Sequence, residues 1–341
     1  MRRLHLLVTF TIMVLLFTGI STALSNNKLN FQESRSFEVK NNDDFYFVQL
    51  TDTQVMHKLF DKYGNSKMRL TSVLKNISNF EEKPAFIAIT GDLVEWGGSG
   101  SSGALNYQTF IDCFYELDGQ FYADSNFSIP IYTTPGNHDY VWENKLTNYY
   151  KYLKDENRYV VTLGDSSFFF IDSGSNYILE PWDWPLILGT GLYDDDIAWL
   201  DEELSTCESS NKIILMHHPA VSNRDEFGRM EDVIARNREN FVDLCEQYNI
   251  ELVLTGHTHN SRVFDGEENK LSDLPLNCND YSTLYVQTDD CKQGIHYRNI
   301  SVAPEGIILE KTQELEYTPV IKPRLITQSI INKILDILKN R

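Results

Sequence analysis

The sequence predicts an α/β layered fold, and three observations predict it. From residue 45 onward, short apolar runs of strand length alternate with segments of helical spacing. Beyond about residue 255 the pattern turns strand-rich. The chain of 341 residues is 42% apolar and carries 19 Phe, 18 Tyr and 5 Trp, enough to bury a large core. Strand–helix alternation followed by a strand-rich segment is the signature of packed α/β layers.

The elements follow in order. Arg2 and Arg3 precede an apolar run, Leu6 to Ile20, and the small residues Ser21-Thr22-Ala23. That is the pattern of a secretory signal over residues 1–23, and it predicts a secreted or extracytoplasmic protein. The run is short for a spanning helix. The alternative is an uncleaved N-terminal anchor, the one route by which a membrane would enter. Residues 24–43 are polar and read as a linker. Phe45–Leu50 reads as a strand, and Ser66–Phe80 as a helix with Met68, Val73, Leu74 and Ile77 inward. Ala85–Ile89 is a buried strand, Ala104–Leu117 a helix, Ile129–Thr133 a strand and Glu143–Leu153 a helix. Tyr159–Leu163 and Ser167–Ile171 form a hairpin around Gly164-Asp165. Asp194–Leu204 is a helix whose acidic start suits its dipole. Lys212–Met216 is a strand, Glu231–Tyr248 a helix and Glu251–Leu254 a strand. The expected domain runs from 44 to 311. A C-terminal extension, 312–341, holds an amphipathic helix at 325–338. The Gly97–Gly103 stretch is a loop, either a solvated connector or a lip over a site.

Lys and Arg number 30 against 49 Asp and Glu, a net charge of −19. Such a surface repels a nucleic-acid backbone, so duplex binding is not expected. A small phosphate ester remains compatible, because bound cations reverse the field inside one pocket. Among the five cysteines, Cys278 and Cys291 flank the strand Tyr281–Thr288 and are the expected disulfide. Cys113 and Cys245 are expected in the core.

Residues of metal-ligand type recur where apolar strands end. Leu50 is followed by Asp52-Thr-Gln54, Ile89 by Gly91-Asp92, and Thr133 by Gly136-Asn137-His138-Asp139. Met216 is followed by His217-His218-Pro219, and Leu254 by Gly256-His257-Thr258-His259. Strand ends of an open parallel sheet gather on one edge, where ligands bind. Each block alone is an ordinary turn. In order, and each at a strand end, they predict one convergent site. A buried cluster of Asp and His needs cations to be tolerable.

These blocks resemble the calcineurin-like metallophosphoesterase superfamily, which includes phosphodiesterases and purple acid phosphatases, over roughly residues 44 to 265. The resemblance implies a four-layer α-β-β-α sandwich of two mixed sheets flanked by helices. It also implies a hydrolase for small phosphoesters with two divalent metal ions. Asp52, Gln54, Asp92 and His259 would hold the first. Asp92 would bridge to a second, completed by Asn137, His217 and His257. A water shared by two cations has a lowered pKa, and the resulting hydroxide would attack phosphorus. His138 would stabilise or protonate the leaving oxygen, with Asp139 orienting it; the plainer reading of Asp139 is a helix cap. His218 is either a supporting residue or a packed ring.

Gln54 departs from the family's usual His. Its harder amide oxygen shifts that position from Zn²⁺ toward Mn²⁺, Fe²⁺ or Mg²⁺. Leu93-Val94-Glu95 replaces the Tyr of a purple acid phosphatase, which argues against a ferric–tyrosinate centre. Asp139, where nucleotidases commonly have Glu, tilts the reading toward diesters. Trp96, Tyr140, Trp142, Trp182, Trp184 and Tyr193 are candidate pocket walls. The rival reading is a non-catalytic exported binding protein that keeps the fold.

Overall fold

The structure, a computed structural model, describes residues 44–316 apart from 63, 118–119, 122–128, 142–144, 176–189, 273–274 and 304. The expected signal segment, linker and 325–338 helix lie outside the described residues, as do Trp142, Trp182 and Trp184.

Two seven-stranded mixed sheets face each other. The first contains β1 (Phe45–Leu50), β2 (Ile87–Thr90), β3 (Ile131–Thr134), β10 (Leu276–Asn277), β12 (His296–Ala303), β13 (Gly306–Leu309) and β14 (Gln313–Glu314). Its order is β10-β13-β12-β1-β2-β3, with β14 added to β12. The second holds β4 (Tyr159–Leu163), β5 (Ser166–Phe170), β6 (Asn211–Leu215), β7 (Leu252–Thr255), β8 (Arg262–Phe264), β9 (Lys270–Leu271) and β11 (Leu284–Gln287). Its order is β9-β8-β11-β7-β6-β5-β4. Strands β1, β2 and β3 run parallel in one sheet, and β5, β6, β7 and β11 in the other. Since β14 joins the sheet, the folded unit extends past the expected end at 311.

Side-chain alternation makes the layers. In β1, Phe47 points between the sheets while Val48 and Leu50 point to the outer face. In β6, Ile213 and Leu215 point inward and Ile214 outward. The outer face of the first sheet is covered by α1 (Ser66–Ser78), α2 (Ser101–Tyr115) and α3 (Thr147–Tyr152). The outer face of the second is covered by α4 (Asp194–Thr206) and α5 (Arg238–Gln247). In α1 the buried stripe is Leu70, Val73, Leu74 and Ile77, at helical spacing. Met68, expected inward, is exposed. The four-layer sandwich is therefore as expected.

Three local expectations are corrected. Helix α5 begins at Arg238, not Glu231. The preceding residues are drawn into loop pairing: Ile234 N–H donates to the Pro219 carbonyl, and Ala235 and Arg236 N–H to that of Thr190. Cys278 and Cys291 are free thiols, like the other three cysteines. Cys278 packs between the sheets and Cys291 in the core under the first layer of helices, so no bridge can join them. The 97–103 stretch is not a simple solvated loop, and its Gly97 N–H donates to the His138 carbonyl. Asn148 Nδ2 donates to the carbonyls of Gly97 and Gly98, and residues 101–103 already belong to α2.

Phe47 is fully buried and stacks on Phe86 at 4.6 Å between ring centres. Phe47→Ala is expected to lower unfolding free energy by about 3–5 kcal/mol, read from urea denaturation. A loss under about 1 kcal/mol would contradict this placement between the sheets.

Candidate metal centre

The parallel strands of both sheets end on one edge, and each contributes a loop to one small volume. Five of the candidate residues sit in left-handed backbone: Asp52 (φ 51), Gln54 (φ 39), Asp92 (φ 51), His257 (φ 67) and His259 (φ 50). Such conformations cost energy for residues with a Cβ and cluster where function demands them. The backbone turns sharply straight after β1, β2 and β7, so these side chains are thrown back across the strand ends.

Two of the glycines are there for close approach. A Cβ on Gly136 would lie 2.3 Å from Asp92 Oδ1, and one on Gly256 would lie 1.8 Å from Thr51 Oγ1 and 2.5 Å from Asp52 Oδ2. No side chain fits between these loops and the carboxylates.

Asp52 and Asp92 are buried. Asp52 Oδ2 accepts from Thr51 Oγ1 at 2.7 Å and from the His257 N–H at 2.9 Å. Its Oδ1 lies 3.1 Å from His259 Nε2. Asp92 stands between two groups of donors. Its Oδ2 accepts from Gln54 Nε2 at 3.1 Å. Its Oδ1 accepts the His138 N–H at 2.7 Å and lies 3.3 Å from His217 Nε2. Asn137 Oδ1 is 3.1 Å from both His217 Nε2 and His257 Nδ1. Thus all seven candidate ligands, Asp52, Gln54, Asp92, Asn137, His217, His257 and His259, join one network of contacts built on Asp52 and Asp92.

The electrostatics are those of a site built for positive charge. Burial alone would keep His217 neutral, but Asp92 and Asp52 outweigh it and push the ring up to about 10. Burial would raise Asp92, yet His217 and His138 hold it well below the usual carboxylate range. Burial, then repulsion from His217, pushes His257 down to about 4.

Divalent cations fit these residues. Gln54 Oε1 is buried without a hydrogen-bond partner, a state that a cation relieves. His217 Nδ1 is 2.9 Å from the Thr90 carbonyl, which fixes the tautomer and leaves Nε2 facing the carboxylates. Asp52, Asp92 and His217 form one compact group of metal-ligating atoms, and His217, His218 and His257 another.

His138 and Asp139 part company. His138 is partly exposed, with Nδ1 at 2.9 Å from the Glu95 carbonyl and Nε2 at 3.8 Å from Asp92 Oδ2. Asp139 does not orient it. Asp139 Oδ2 accepts from Gly136 N–H (2.8 Å) and Leu93 N–H (3.2 Å), and Oδ1 from Tyr107 Oη (2.7 Å). It is a cap, but of the short turn Asn137–Tyr140 rather than of the following helix. Burial, reinforced by Asp92, pushes Asp139 up to about 7.

The group actually facing His138 is Glu95. This buried carboxylate has Oε2 3.7 Å from His138 Nδ1 and pairs with Lys62. Its signal in the sequence was an acid three residues after Asp92. Ser173 was also missed: its Oγ lies 2.8 Å from His218 Nδ1 and holds that ring in place. His218 Nε2 is buried and without a hydrogen-bond partner. Of the expected pocket walls, Tyr140 is buried with its hydroxyl on Asp172, so it packs. Trp96 is partly exposed beside Phe60 and Lys62. Tyr193 is exposed beneath the Arg236 guanidinium.

The sequence profile of the family described as "Calcineurin-like phosphoesterase" matches residues 45–261, and the chain belongs to that family. It is a metal-dependent phosphoester hydrolase. Among curated proteins, a probable glycerophosphodiester phosphodiesterase GpdQ from Arcobacter nitrofigilis is 25% identical over 219 residues, 62% of this chain and 71% of the relative. The glycerophosphodiester phosphodiesterase GpdQ of Enterobacter lignolyticus is 21% identical over 241 residues, 67% of this chain and 76% of the relative. Among solved structures, the purple acid phosphatase PPD1 of yellow lupin superposes with a TM-score of 0.55 at 12% identity. It covers 80% of this chain and 52% of its own. GAP50 of Plasmodium superposes with a TM-score of 0.50 at 13% identity, covering 81% and 89%. At these identities the structural likeness is one of fold.

Gly256→Ala forces the His257 loop off Asp52. Turnover is expected to fall on the order of 10²-fold, with manganese affinity falling in parallel in calorimetric titration. Wild-type affinity in this variant would show that the close approach is unnecessary.

Proposed function

We propose that the protein hydrolyses small phosphodiesters at a centre of two divalent cations. The observation that carries this reading is the placement of Asp92, with one oxygen toward Gln54 and the other toward His217. Asp52, Gln54 and His259 would complete the first position, and Asn137, His217 and His257 the second. Two cations so held supply a water of lowered pKa and neutralise phosphate oxygens. The chain's own residues do the rest. The carboxylates fix the spacing of the two positions, and Asn137 adds an oxygen without adding charge. The His138 ring has Nδ1 against the Glu95 carbonyl, which leaves Nε2 to face the leaving oxygen.

Two observations support a diester over a monoester. The curated relatives are named as glycerophosphodiester phosphodiesterases. By resemblance, Asp139 after Gly-Asn-His sets the chain apart from nucleotidases, which commonly have Glu there. A glycerophosphodiester is therefore the first substrate to test. Export of the chain belongs to the same proposal and rests on the pattern of residues 1–23.

With manganese, the purified protein is expected to turn over a diester faster than the matching monoester. His138→Ala should lower kcat by roughly 10²–10⁴-fold for an alkyl leaving group. The loss should be smaller for p-nitrophenol, which needs no proton. An unchanged kcat with the alkyl ester would remove His138 from the reaction and favour the binding-protein reading.

Gln54→His replaces an amide oxygen by imidazole at the first position. The expected result is a shift toward Zn²⁺ over Mn²⁺, measured by competitive loading and elemental analysis. The same metal preference in both proteins would mean that Gln54 is not a ligand.

A further inference from the structure

The two half-sites are not equally supported. His217, in the second, is fully buried and has its Nδ1 beside a backbone carbonyl. His259, in the first, is 27% exposed and receives no such bond from the strands. It is also the one imidazole among Asp52, Gln54, Asp92 and His259. With an amide at Gln54, the orientation of His259 decides how well that position holds a cation.

The group facing its far nitrogen comes from a segment that none of the five blocks includes. Asp290 lies in the loop after β11, and its Oδ2 is 3.4 Å from His259 Nδ1. On the other side of the ring, Nε2 is 3.1 Å from Asp52 Oδ1. His259 therefore stands between two carboxylates, one inside the site and one behind it.

Asp290 is itself fixed. It is buried, and its Oδ1 accepts the Gln293 N–H at 2.7 Å. Its carbonyl accepts the His296 N–H at 3.2 Å. The next residue, Cys291, donates its N–H to the Thr51 carbonyl at 3.2 Å, one residue before Asp52. The loop thus braces the carboxylate in front of the ring as well as the one behind it.

We propose that Asp290 is a positioning residue: it accepts the Nδ1 proton of His259 and holds Nε2 toward the first cation. A carboxylate behind a ligating imidazole fixes its tautomer and raises its basicity, and such partners are worth about 10–100-fold in metal affinity. At this position that contribution offsets the weaker donor Gln54. The inference rests on the two-cation reading above.

The test is calorimetric titration of Mn²⁺ into the chelated full-length protein, for wild type, Asp290→Asn and Asp290→Glu. In Asp290→Asn, one of two binding events is expected to weaken roughly 10–100-fold, with the other unchanged and the thermal midpoint of the chelated protein kept. Asp290→Glu should recover part of the loss. Two unchanged events in Asp290→Asn would overturn the proposal. So would equal weakening of both with a lowered midpoint, which is the mark of a general structural role. If no diester is hydrolysed but the selective loss of affinity is seen, the diesterase reading fails and the role of Asp290 stands.

Discussion

The structure depends on keeping two carboxylates, Asp52 and Asp92, buried side by side. Two anions taken out of water repel each other and lose their hydration. Every neighbouring feature acts on that problem. Asp52 accepts bonds from Thr51 and the His257 N–H, and Asp92 from Gln54 and the His138 N–H. Without a cation, His217 is the group placed to carry the compensating charge, since Asp92 and Asp52 push its ring up to about 10. A divalent cation would do the same work with two charges, and would let His217 act as a neutral ligand.

Holding that arrangement costs backbone strain, and the cost is met beneath the site. Just under the strand ends, a polar chain crosses between the sheets. Gln49 Nε2 donates to Thr90 Oγ1 and to the Thr255 carbonyl, and Gln49 Oε1 accepts from Thr288 Oγ1. Arg298, fully buried, donates to Thr288 Oγ1 from its Nε. These bonds tie β1 and β2 of one sheet to β7 and the end of β11 in the other. Apolar packing between sheets tolerates sliding; directional bonds do not. Because Asp52 and Asp92 come from one sheet and His217, His257 and His259 from the other, slippage of an ångström would separate them. The polar chain fixes the register on which the centre relies.

Much of this was legible in the sequence, for a physical reason. Buried strands are apolar on both faces, so their ends are sharp, and polar residues straight after Leu50, Ile89, Met216 and Leu254 stood out. The alternation of strands and helices gave α/β layers, and the sandwich itself came from the family resemblance carried by those blocks. What escaped was whatever depended on partners far apart in sequence. Asp290 faces His259 across 31 positions, Ser173 faces His218 across 45, and Glu95 faces His138 across 43. Nothing local to Asp139 distinguishes an orienting carboxylate from a cap; its three donors, Gly136, Leu93 and Tyr107, do. The expected helix 231–248 starts later, at Arg238, because long-range backbone bonds claim residues before it. Glu231 and Ile234 donate their N–H groups to the carbonyls of Asn223 and Pro219.

In the proposed two-cation centre the two halves would be chemically unlike. The side built on Asp52, Gln54 and His259 offers oxygen donors and one imidazole. The side built on Asn137, His217 and His257 offers two imidazoles and a neutral oxygen, and His218 lies within ring contact of both. Nitrogen-rich sets favour later first-row metals, and oxygen-rich sets harder ones. Each side has one partly exposed ring, His259 on the oxygen-rich side and His257 on the other, and His217 is fully buried. On the proposed role of Asp290, a loop outside the strand-end blocks braces the side that has a single imidazole. On the other side the sheet itself, through the Thr90 carbonyl, holds the His217 ring in place.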